Sequence, residues 1–132
     1  MRALAVDFGL KRTGLAWTDP ERRVALPLEV VPTHQLRHRL EQLAPQVGVF
    51  VLGYPRRLDG SPTQMTPHVE GLERWLRARF PEKEIVRVDE RLSTYEAARW
   101  IQMISPRRKD KGTCDIASAV VILQAYLLRM KR

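Results

Sequence analysis

Three apolar runs stand close together at the start of the chain, Ala3–Val6, Thr13–Trp17 and Val24–Val31, separated by the short polar segments Gly9–Arg12 and Asp19–Arg23. A parallel connection needs a crossover of about a dozen residues or more. These runs can therefore pair in sequence order only as an antiparallel meander. From there the pattern changes. Leu36, Leu40 and Leu43 recur at helical spacing and stop before Pro45, and a strand-like run follows at Val47–Gly53. Val69, Leu72, Leu76 and Phe80 then mark a helix from about Gln64 to Phe80, closed by Pro81, before another strand at Glu84–Val88. Strands joined by helical crossovers run parallel, so the whole chain predicts a mixed α/β sheet.

Two further helices are expected. Ser93-Thr94-Tyr95-Glu96 has the S-x-x-E form of a capping box and opens a helix through about Met103. After a basic loop from Ser105 to Gly112, Thr113 is the expected N-cap of a last helix, whose stripe is Ile116, Val120, Leu123 and Leu127, widened by Ala119 and Ile122. The segment from Tyr54 to Pro62 holds two prolines, an Asp-Gly pair and two arginines, and reads as an exposed basic loop. No repeat or linker divides the 132 residues, so residues 1–132 are expected to form one domain.

The charge balance narrows the partner. Against 15 Asp and Glu stand 23 Lys and Arg, a net +8, which suits a polyanion such as nucleic acid better than a membrane surface. The apolar runs are too short to span a bilayer, and the N-terminus leads into a strand without the layout of a signal peptide. A lone Cys114 offers neither a disulfide within the chain nor a thiolate zinc cage. A cytoplasmic location is expected.

Within this frame the acids are placed suggestively. Asp7-Phe8-Gly9 ends the first apolar run and Asp89-Glu90-Arg91 ends a later one, where open α/β sheets build their sites. Asp7 alone fits a turn-capping residue as well as a ligand. Asp89 and Glu90 point to opposite faces in extended geometry, so only one can serve a given site; Glu90 is the expected one, with Asp89 in support. Asp115, expected in the first turn of the last helix, is also favoured there by the helix dipole. Gathered together, such carboxylates repel by roughly 1 kcal/mol at about 4 Å in water and about 4 kcal/mol at an effective dielectric of 20. A cluster of the three would need a cation, and an all-oxygen donor set selects Mg²⁺ or Mn²⁺ over zinc. His34, His38 and His68 form no metal-binding pattern and are expected at the surface.

Several blocks in order along the chain carry a resemblance: Ala5-Val6-Asp7-Phe8-Gly9-Leu10-Lys11-Arg12-Thr13-Gly14; Leu52-Gly53-Tyr54-Pro55 with Asp59-Gly60-Ser61; Val88-Asp89-Glu90-Arg91-Leu92-Ser93-Thr94; and Lys111-Gly112 with Asp115-Ile116-Ala117-Ser118-Ala119. The chain resembles the YqgF/RuvX family, nucleases of the RNase H-like superfamily related to RuvC resolvases. That resemblance implies an RNase H-like fold, a five-stranded mixed sheet in the order 3-2-1-4-5 with helices on both faces. It also implies that Asp7, Glu90 and Asp115 are both catalytic residues and ligands of Mg²⁺ or Mn²⁺. In RuvC relatives a second acid comes from the strand corresponding to Val47–Gly53; here that strand ends in Gly53-Tyr54-Pro55, which leaves Glu90 to supply the ligand.

The expected activity is that of a metal-dependent endonuclease, with bound ions activating water for attack on a phosphodiester. Lys11, Arg12, Arg56, Arg57, Arg91, Arg107, Arg108, Lys109 and Lys111 are the expected contacts to the nucleic-acid backbone. The resemblance points to two substrates, the 5′ end of the 16S rRNA precursor and the four-way DNA junction of recombination and repair. Junction cutting calls for a twofold pair of sites and hence a homodimer, whereas a monomer suits RNA processing. Two other classes compete: an ATP-binding module, because Asp7–Gly14 resembles the phosphate turn of actin-like ATPases and sugar kinases, and a nucleic-acid-binding module without catalysis.

Overall fold

The computed structural model describes residues 1–55, 59–89 and 111–130, the last of these with side chains from residue 116. Five strands, β1 (Arg2–Asp7), β2 (Arg12–Thr18), β3 (Ala25–Pro32), β4 (Val47–Tyr54) and β5 (Glu84–Asp89), form one sheet in the order β3-β2-β1-β4-β5. The pairs β1–β2 and β2–β3 are antiparallel, whereas β1–β4 and β4–β5 are parallel. The short loops have closed a meander and the helical crossovers have added parallel strands on its other side. Three helices pack on the sheet: α1 (Leu36–Leu43), α2 (Thr66–Arg79) and α3 (Lys111–Met130).

The centre of the sheet is buried on both faces, which explains why Ala3-Leu4-Ala5-Val6 is a continuous apolar run. Leu4, Val6, Leu15, Phe50 and Leu52 meet Leu36 and Leu40 of α1 and Val69, Leu72 and Leu76 of α2. On the other face Ala3, Ala5, Ala16, Val49, Val51 and Val88 meet Ala119, Val120, Ile122, Leu123 and Tyr126 of α3. Small side chains dominate the second floor, and they let the 20-residue α3 lie close to the sheet. No helix among the described residues is long and apolar enough to cross a membrane.

Two expectations change here. Lys111, Gly112 and Thr113 are not a loop and its cap: α3 already begins at Lys111. A good capping residue permits a helix to start but does not compel it, and backbone hydrogen bonding carries the helix past Thr113. Asp115 consequently is the fifth helical residue and lies beyond the first turn, where the dipole has less hold on it. Tyr54 likewise belongs to β4 rather than the following loop, because its ring, 8% exposed, completes the core and its backbone pairs in register with Asp89. The capping-box helix from Ser93 to about Met103 lies outside the described residues.

Candidate functional site

Side chains alternate along a strand, so Asp7 leaves β1 on the face of Ala3 and Ala5, the face covered by α3. Its sheet neighbours are small. Gly14 of β2 stands opposite it, and on β4 Gly53 follows Leu52, the partner of Val6. The half-buried carboxylate thus sits at the carboxyl end of the central strand with no side chain from either neighbouring position beside it.

The turn leaving Asp7 is tightly held. A Cβ on Gly9 would come within 2.3 Å of the Arg12 carbonyl oxygen, so only glycine admits this approach. Thr33, between β3 and α1, fastens the turn from outside. Its hydroxyl donates to the Gly9 carbonyl at 2.6 Å and lies 2.9 Å from the Thr13 hydroxyl, while its backbone N–H donates to the Lys11 carbonyl at 2.9 Å. Lys11 and Arg12 are exposed on this fixed turn, within a few residues of the acid.

Asp89 ends β5, exposed, on the same edge of the sheet. Val88 belongs to the α3 face, so Asp89 projects to the α2 face, away from Asp7. Two strand spacings also separate β1 from β5, about 9.5 Å. Asp89 is therefore poorly placed to share one ion with Asp7. The same α2 face carries an ion-pair network that sequence reading missed. Arg87 donates from Nε to Glu73 at 3.0 Å, Arg77 donates to the same carboxylate at 2.9 Å, and the Arg87 guanidinium lies 4.3 Å from the centre of the Tyr54 ring. Burial pushes the Glu73 carboxyl upward, but the hydrogen bonds and charges of Arg87 and Arg77 outweigh it and hold the group below the ordinary range. A glutamate within the helical stripe of α2 was the available signal.

His34 and His38 are at the surface, as expected. His68 is exposed too, but its ring stacks with Phe8 at a centroid distance of 6.3 Å and an interplanar angle of 14°. Glu90, Arg56, Arg57, Arg91, Arg107, Arg108 and Lys109 lie outside the described residues, as do the side chains of Lys111 and Asp115. Among the described residues no three His, Cys, Asp or Glu side chains form a group able to hold a metal.

The family described as RuvX, Holliday junction resolvase, matches residues 1–129. The chain belongs to the RuvX family. Among its relatives, a candidate pre-16S rRNA nuclease of Porphyromonas gingivalis is 40% identical over 96% of this chain and 95% of its own length. Another from Chlorobium luteolum is 37% identical over 96% of this chain and 93% of its own. In three dimensions the RuvX chain is similar to Thermus thermophilus RuvC, with a TM-score of 0.58 at 17% identity over 99% of this chain and 97% of that one. A second RuvC structure, in complex with a Holliday junction substrate, gives 0.56 at 17% identity over 98% and 96%. The likeness supports the RNase H-like fold that the motifs implied.

Proposed function

We propose that this RuvX chain is a divalent-metal-dependent endonuclease that trims the 5′ end of precursor 16S rRNA in the cytoplasm. The observation that carries the reading is Asp7, at the carboxyl end of the central strand on the α3 face, between two glycine positions and beside the cationic Lys11–Arg12 turn. The names borne by relatives at 32–40% identity favour precursor rRNA as substrate.

The proposed ligands are Asp7, Glu90 and Asp115. In sequence Asp115 precedes Ala119 by four residues and Ile122 by seven, the spacing of the helix face that α3 turns to the sheet. Glu90 follows Asp89, and an extended chain continuing from β5 would return at that position to the face of Val88 and Asp7. Hard carboxylate oxygens suit Mg²⁺ or Mn²⁺, which when bound would lower the pKa of a water and offset charge developing on the phosphate. Asp7 would orient the group from a rigid strand. Lys11 and Arg12 would hold the backbone phosphates on either side, and the pinned Gly9 turn would keep those cations in register with the acid. The further basic residues Arg56, Arg57, Arg91, Arg107, Arg108, Lys109 and Lys111 would extend the phosphate contacts, so affinity should fall steeply with salt.

The test incubates purified protein with Mg²⁺ or Mn²⁺ and matched panels of precursor rRNA, single strands, duplexes and four-way junctions. Asp7→Asn serves as the control, expected to lose cleavage while keeping the fold and most of the affinity. Full activity in that variant refutes the assignment. The second reading, junction resolution, is favoured by the family description. It requires paired twofold-related cuts by a dimer, so a monomer that cleaves precursor RNA and leaves junctions intact excludes it.

A further inference from the structure

The face of β1 opposite Asp7 carries a cavity of about 330 Å³, at the small end of ligand-binding clefts. Leu36 and Leu72, both buried, form its floor; Phe8, Pro67 and His68 wall it, and Arg37 stands at its rim. The Arg37 guanidinium lies 5.3 Å from the centre of the Trp75 ring, a cation held against an aromatic face. Two nearly parallel rings above an apolar floor, with a cation at the mouth, suit a flat heteroaromatic ring attached to an anion.

The position decides which ring. Phe8 follows Asp7 directly, their Cα atoms about 3.8 Å apart, and the two side chains leave opposite faces of the same strand end. A nucleic-acid strand laid across the carboxyl end of β1 would present its backbone to Asp7, Lys11 and Arg12 and could turn one base down the other side. We propose that this cavity is a stacking subsite for one unpaired nucleobase of the bound strand. The inference rests on the nuclease reading for the placement of that strand. The site reads no particular base, since every base has a π-face and the rings offer stacking. It selects for single-stranded character at one nucleotide beside the site of cleavage. A paired base could not enter.

The test uses Asp7→Asn protein, in which cleavage is expected to be off, and single-stranded RNA oligonucleotides carrying 2-aminopurine or an abasic nucleotide at successive positions. One position should show a fluorescence change on binding, and an abasic nucleotide there should weaken affinity by about tenfold, the order expected for one base stacked on aromatic side chains. Adding His68→Ala, a change at an exposed residue, should weaken the intact oligonucleotide by a similar factor and leave the abasic one unaffected. Equal loss for both ligands, or no loss, overturns the proposal. So does a 2-aminopurine mononucleotide that binds as tightly as the oligonucleotide, since the pocket would then serve a free ligand. Wild-type cleavage assays separate the two readings. Base-dependent binding without Asp7-dependent cleavage refutes the nuclease and sustains the subsite, whereas cleavage with base-independent binding does the reverse.

Discussion

Replacing Gly9 by alanine should damage the turn beside Asp7 more than its one added methyl group suggests. The new Cβ would lie 2.3 Å from the Arg12 carbonyl oxygen, and the opposing atom is backbone, so no rotamer change relieves the clash. The turn must open by about 1 Å to regain an ordinary contact, at a cost of about 1–3 kcal/mol for overpacking. Opening it also pulls on two hydrogen bonds from Thr33, to the Gly9 and Lys11 carbonyls, each worth about 1 kcal/mol. Losing one of them brings the expected destabilisation to about 2–4 kcal/mol. At about 4 °C per kcal/mol for a chain of this size, Tm should fall by about 8–16 °C. Circular dichroism melting with urea denaturation would measure it. Leu10→Ala is the control, since Leu10 is 63% exposed in the same turn and its loss should change stability by less than about 0.5 kcal/mol. A Gly9→Ala protein as stable as the Leu10→Ala control would refute the reasoning, because the turn would then have room the close approach denies.

Two further outcomes concern the parts of the fold on either side of the sheet. Glu73 is held below the ordinary carboxyl range, so its contribution is present above about pH 5, the upper edge of the unfolded titration, and is lost as pH falls through the folded value. Wild type should therefore exceed Glu73→Gln by about 1 kcal/mol at pH 7, a low figure because both arginines are about half exposed, and the gap should close on acidification toward pH 3. A gap in melting temperature that widens toward low pH would contradict the assignment. The Tyr126 hydroxyl is buried with no hydrogen-bond partner among the described residues, so Tyr126→Phe should stabilise the protein by about 1 kcal/mol in denaturant titration. Destabilisation by a similar amount would show that the hydroxyl is satisfied.

The sequence by itself determined the elements and much of their order. The continuous apolar run Ala3–Val6, the leucine spacing of α1 and the proline after α2 are local signals, and the elements from β1 to β5 formed within a residue or two of where their patterns place them. The turn lengths also dictated which strands run antiparallel. The start of α3 was not legible, because a helix end depends on how far the backbone can keep hydrogen bonding and Thr113 offers only a permitted start. At the site, alternation already separated Asp89 from Glu90, but only the assembled sheet shows which face Asp7 shares with α3 and that Gly14 and Gly53 flank it. Nor could one-dimensional spacing bring His68 onto Phe8 or Arg87 onto Glu73, since these contacts join separate elements, whereas Arg77 lies one helical turn from Glu73 within α2. Local patterns are set by neighbours three or four residues away, which a sequence displays. A site is set by crossovers that return the chain to the same sheet edge, and that meeting exists only in the folded structure.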